Sequence, residues 1–141
     1  MTPQDALNAD RPTTDWAAAF NAHNLDKLAA LYDTEAVLWG TLTPKLITSA
    51  SDVRHYFERT FQGTPDIQVT FQETHVRSFG SIAISTGSYV LHLSIGGRPT
   101  TLPARFSFTY RRSAQGWLIV DHHASLVPSP LAVPAASARE T

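Results

Sequence analysis

Apolar residues change their spacing once along this chain, and the order of the two patterns leaves few folds open. Between Thr13 and Phe61 most recur every three or four residues: Trp16, Ala19, Phe20 and His23, then Leu25, Leu28, Ala29, Leu31 and Tyr32, then Val53, Tyr56, Phe57, Thr60 and Phe61. That spacing lays one buried stripe along a helix. From Ile67 onward the pattern becomes alternation, the signature of half-buried strands. Helices first and strands afterwards indicate an α+β fold, with three N-terminal helices packed on a strongly curved, mainly antiparallel sheet. A curved sheet wrapped by helices on one face makes a cone-shaped roll, and such a roll holds a pocket at its open end.

Punctuation residues set the expected boundaries. Thr14 is read as the N-cap of the first helix, with Asp15 in its first turn. Asn24 separates the first two helices, Asp33-Thr34 ends the second, and Ala36–Trp39 forms a short strand. Ser49 or Ser51 caps the third helix after a loop containing Pro44, and Gly63-Thr64-Pro65 stops it. Four strands follow, with turns at Phe79-Gly80-Ser81, Gly96-Gly97 and Ser113 to Gly116. Residues 1–12, polar and carrying Pro3 and Pro12, read as a flexible arm. Residues 13–128 read as one cone-shaped domain and 129–141 as a Pro/Ala-rich tail.

Composition excludes several functions. The 141 residues carry a net charge of −1, and the longest basic run is Arg111-Arg112, so the electrostatic footprint of a nucleic-acid binder is missing. There is no cysteine, which rules out disulfides, thiolate nucleophiles and Cys-ligated metals. No basic-then-apolar leader and no apolar run of about 20 residues is present, so a cytoplasmic chain with no membrane partner is expected. Neither a Gly-rich nucleotide loop nor a Gly-flanked nucleophilic serine occurs.

The run Trp117-Leu118-Ile119-Val120-Asp121-His122-His123-Ala124-Ser125 departs from pure packing. It begins as a buried strand and then places an acid, two imidazoles and a hydroxyl in the same segment. An unpartnered buried polar group costs about 1–3 kcal/mol, so these residues are either satisfied or used. Together with the Trp16-to-Tyr32 helical pair, the Ala36–Trp39 strand and the helix containing Val53-Arg54-His55-Tyr56-Phe57, this run resembles the nuclear transport factor 2-like superfamily, which includes ketosteroid isomerases and SnoaL-like polyketide cyclases. The last two strands are most similar to the association (hub) domain of calcium/calmodulin-dependent protein kinase II and its stand-alone bacterial relatives. There the strand runs Trp-x-Ile-Val-x-x-His-x-Ser and is soon followed by Pro, as Pro128 follows here. The resemblance covers roughly residues 13–128 and implies the curved-sheet cone and a dimer, or a larger ring, formed through sheet surfaces.

The chain also departs from those families. Ketosteroid isomerases carry a catalytic Asp just after the first short strand, where this chain has Trp39-Gly40-Thr41. Kinase-hub pocket arginines fall, without gaps, on Ser88, Phe108 and Ala124, so the cationic clamp is missing. Cyclase-like relatives use an inward His–Asp pair, and the acid nearest His122, Asp121, faces the other way.

Strict alternation places Leu118, Val120, His122, Ala124 and Leu126 on one face, and Trp117, Ile119, Asp121, His123 and Ser125 on the other. A bulge near the turn would shift this register. On this reading Trp39, Tyr56, Tyr89, Phe108 and His122 line a pocket, where His122 is either a ligand contact or a hydrogen-bonded core residue. Arg105, Ser107, Asp121, His123 and Ser125 form an interface on the opposite face. His75, His122 and His123 do not make a zinc site, because adjacent strand residues point to opposite faces. No metal and no cofactor are expected. The function expected is an oligomerising domain, a homodimer or larger ring, with a mainly apolar small-molecule pocket. The alternative is a small cofactor-free isomerase, cyclase or hydratase using His122 as general acid/base.

Overall fold

The computed structural model describes residues 3–128, with side chains from Arg11 onward. Helix α1 (Pro3–Asn21) and the short α2 (Leu25–Ala29) lead into strand β1 (Tyr32–Trp39). Helix α3 (Ala50–Gly63) comes next, and then β2 (Gln68–Phe79), β3 (Ile82–Ile95), β4 (Arg98–Ser113) and β5 (Gly116–Leu126). The sheet runs in the order β1-β5-β4-β3-β2. All pairings are antiparallel except that of β1 with β5. The α+β arrangement read from the change of period is the one observed. The tail expected over 129–141 lies outside the described residues.

Helix α1 corrects one expectation. It begins at Pro3, so residues 3–12 are helical, and Thr14 lies inside the helix instead of capping it. Pro12 removes one backbone donor but does not end the helix. The stretch Gln4 to Arg11 contains no Gly and no β-branched residue, so nothing else opposes helix there. Thr13, one residue beyond Pro12, is buried and shares a hydrogen bond with the Tyr110 hydroxyl. Other caps fall where the residue types put them. The Asn24 side chain accepts from Lys27 N at 3.1 Å, and Ser49 Oγ accepts from Asp52 N at 3.2 Å. Between α1 and α2, His23 adopts φ 52°, stacks on Phe61 and hydrogen-bonds the Ile67 carbonyl at 2.7 Å.

Trp16 occupies the centre of the core. Its ring lies against Phe20 (4.9 Å between centroids), Phe108 (5.7 Å) and Tyr89 (6.0 Å), tying α1 to β3 and β4. Burying aromatics of this size supplies the largest share of hydrophobic stabilisation.

Irregularities in three strands bend the sheet. Between Phe71 and Thr74 the register of β2 shifts against β3. Gly87 sits opposite, where an added Cβ would stand 1.9 Å from the Glu73 carbonyl oxygen, so only glycine lets the backbones come this close. In β5 the register against β4 jumps so that Tyr110 faces Ile119 while Thr109 faces Asp121. Val120 is therefore the extra residue of a β-bulge. This corrects the strict alternation: Trp117 and Ile119 are buried on the same side as His122 and Ala124. Beside the bulge, β1 takes five residues from Tyr32 to Val37 while β5 takes two from Ile119 to Asp121.

Candidate functional site

The bulge at Val120 re-aims the second half of β5. Past the bulge, His122 is only 2% exposed and faces the helices, whereas Asp121 and His123 are exposed on the other side of the sheet. The His122 ring lies 4.2 Å from Phe108 and edge-on to Trp16 at 5.7 Å. Its Nδ1 is 2.8 Å from the Tyr32 hydroxyl, which in turn takes a hydrogen bond from Trp16 Nε1 at 2.9 Å. An indole nitrogen can only donate, so the Tyr32 oxygen accepts from Trp16, and among the described residues His122 Nδ1 is the one acceptor within reach of the phenol's own proton. The imidazole is thereby fixed with its proton on Nε2. That Nε2–H has no hydrogen-bond partner.

Electrostatics point the same way. Burial, with a smaller contribution from neighbouring His123, lowers the His122 pKa to about 3. The ring is neutral at physiological pH and donates through Nε2 without carrying charge. Burial likewise pushes the Tyr32 and Tyr89 phenols up, so both stay protonated.

His122 faces a narrow cavity of about 20 Å³, lined also by Trp16, Gly40, Thr41, Tyr56, Tyr89 and Leu91. That volume holds about one water. Thr41 Oγ1 is a second buried polar atom there without a well-formed hydrogen bond, although it lies near enough to Tyr89 to temper that phenol's shift. Among the described residues no carboxylate lines the cavity, so His122 has no acid beside it of the kind a general acid–base pair uses. Nor do three or more His, Cys, Asp or Glu come together anywhere among them in a way that suits a metal.

Of the five residues expected in a pocket, Tyr56, Tyr89 and His122 line this cavity. Phe108 is fully buried and packs against the His122 ring without being part of the cavity wall. Trp39 is a correction. In the parallel pairing Leu38 lies beside His122 and Trp39 beside His123, so Trp39 points to the opposite face and is 41% exposed. Tyr32, Trp16, Gly40 and Thr41 were not among the pocket residues expected from the sequence. Tyr32 read as the end of a helical stripe, and a threonine in a Pro-containing loop gives no periodic signal.

The five interface candidates fall on one face. Ser107 pairs with His123, Arg105 with Ser125 and Thr109 with Asp121. A broad groove of about 950 Å³ crosses this side of the sheet, lined by Arg105, Ser107, His123 and Ser125 together with Glu73 and Arg77. Trp39 adds an apolar surface next to His123.

The sequence profile of the SnoaL-like domain matches residues 12–130. The chain belongs to the SnoaL-like domain family. One similar solved structure, provisionally assigned as a calcium/calmodulin-dependent protein kinase II association domain from Xanthomonas campestris, is 29% identical, with 81% of each chain covered and a TM-score of 0.73. Another, from Streptomyces avermitilis and provisionally assigned as a dehydratase of the NTF2-like family, is 21% identical, covering 91% of this chain and all of that one at TM-score 0.83. A hub homology domain from Chlamydomonas reinhardtii is 22% identical over 91% of this chain and all of that one, at TM-score 0.71. No curated protein matches the sequence. SnoaL-like domains thus share this cone with proteins named both for assembly and for catalysis, and the fold alone does not choose between them. Among the described residues of this SnoaL-like chain, no helix is long and apolar enough to cross a membrane.

Proposed function

We propose that this SnoaL-like chain is a self-associating domain that binds a small, mainly apolar molecule whose oxygen enters the one-water cavity beneath His122. The observation that carries the reading is the division of labour at the β5 bulge. His122 turns inward and leaves a neutral, unpartnered N–H over a cavity, while His123 turns outward beside Trp39 on an exposed sheet face.

Two kinds of observation support the two halves. A buried donor without an acceptor is costly, and a carbonyl or ether oxygen on a ligand removes that cost. The outer face presents both charge signs, Glu73 and Asp121 against Arg77 and Arg105, around an exposed indole. Such a surface can complement itself across a two-fold axis, so the partner is a second copy of this chain.

Light scattering at micromolar concentration tests the first half: a dimer or larger ring is expected, and a monomer contradicts it. Titration with 2-octanone tests the second half. Saturable binding that His122→Phe abolishes is expected, and the absence of binding contradicts it.

A further inference from the structure

A second hollow adjoins the His122 cavity. It is a surface groove of about 420 Å³ between α3 and the loop from Leu42 to Ile47. Its apolar wall is Leu42, Leu46 and Ile47, and its polar rim includes Lys45, Asp52 and Arg59. Tyr56, Leu42 and Thr60 line both hollows, so the Tyr56 ring is part of the wall between them.

Packing of the ring edge-on to Phe57 at 5.0 Å and one loop hydrogen bond hold that wall. The Tyr56 hydroxyl accepts from Leu42 N at 3.2 Å on the exposed loop. The ring rests directly over Gly40, where an added Cβ would come within 2.5 Å of it. A glycine here gives the ring its resting place.

The rim chemistry restricts what would enter. Among the described residues, Arg54 and Arg111 are held in ion pairs, whereas Lys45 and Arg59 make none. Asp52 lies seven residues before Arg59 on α3, about 10 Å away along the helix, and is ion-paired with neither cation. At the inner end stand the His122 Nε2–H, buried and without a partner, and the buried Thr41 hydroxyl, which makes no well-formed hydrogen bond.

We infer that the groove and cavity form one site, with Tyr56 as its door, for an oxo-carboxylic acid with an apolar chain. The carboxylate stays at the rim with Lys45 and Arg59. The chain lies along Leu42, Leu46 and Ile47, and the oxo group accepts from His122 Nε2–H. This rests on the proposed interior binding and adds the ligand's second polar end and its route.

The test is calorimetric and stopped-flow titration of the full chain with 7-oxooctanoate, octanoate and 2-octanone. The expected result is that 7-oxooctanoate binds most tightly, with removal of either polar end weakening binding about fivefold or more. The exposed-site pair Lys45→Ala/Arg59→Ala should weaken 7-oxooctanoate about tenfold and leave 2-octanone within about twofold. Tyr56→Ala should raise the association rate of every ligand that binds. If 2-octanone binds but 7-oxooctanoate binds no more tightly, or if the Lys45/Arg59 variant binds both as the parent does, the oxo-acid assignment is overturned and interior binding stands. An unchanged association rate in Tyr56→Ala overturns the door. If none of the three binds the parent or Tyr56→Ala, the interior-binding reading falls as well.

Discussion

The Tyr32 hydroxyl lies 2.8 Å from His122 Nδ1, joining the first residue of the edge strand β1 to the buried imidazole of β5. The tyrosine proton therefore decides whether the cavity-facing nitrogen, Nε2, carries a hydrogen.

Tyr32→Phe removes that proton and the acceptor for Trp16 Nε1, leaving two buried groups unpaired. The variant should fold and lose about 1–3 kcal/mol of stability in urea unfolding. A loss below about 0.3 kcal/mol would show that the hydrogen bonds are not formed as described.

Acid should destabilise the fold through His122. Its folded pKa of about 3 lies below the ordinary histidine value of 6.5, so the unfolded chain takes up a proton that the folded chain refuses. The stabilisation is fully present above pH 6.5 and is lost progressively as pH falls from there toward 3. Between pH 7 and pH 5 the loss is about 2 kcal/mol. Urea unfolding at the two pH values measures it, and His122→Asn should remove most of the difference.

Gly87→Val should be severe. The new side chain meets the Glu73 backbone, which cannot rotate away as a side-chain tip can. A destabilisation of at least about 1–3 kcal/mol is expected from the overpacking. Gly40→Ala, whose Cβ first meets the far end of the Tyr56 side chain, should cost less and alter ligand access instead. Equal losses for the two would contradict the distinction between backbone and side-chain contact.

Placing charge on the outer face should separate assembly from folding. Arg105 and His123 are exposed, so Arg105→Glu/His123→Glu should leave thermal unfolding of the monomer nearly unchanged. Self-association should weaken by about tenfold or more, because like charges would face each other across the interface. Unaltered association would remove this face as the contact.

Much of the fold was legible because period reports burial directly. The 3–4 repeat at Trp16, Ala19 and Phe20 and the alternation from Ile67 onward identified buried faces that the structure retains, with Phe106, Phe108 and Tyr110 among them. The bulge at Val120 was not legible, because an extra residue in a strand leaves no mark on composition. It moved Trp117 and Ile119 inward while leaving His122 where alternation had put it. Pro12 misled for the opposite reason: a residue that usually ends helices was carried inside one. In the site, Tyr56, Tyr89 and His122 followed from pattern, but Tyr32, Gly40 and Thr41 matter through contacts distant in sequence. Trp39 was misplaced because a strand of uncertain register does not say which face its last residue takes.

Interior binding depends above all on a neutral His122 whose Nε2–H points into an accessible cavity. Long-range 1H–15N NMR of the imidazole, with and without 2-octanone, reads tautomer, charge and ligand contact together. The expected result is a proton on Nε2, a ring that remains neutral at pH 5, and a saturable shift of that nitrogen as the ketone is added. A ring protonated on Nδ1, or one charged at pH 5, or an Nε2 signal that does not respond to bound ketone, would contradict it.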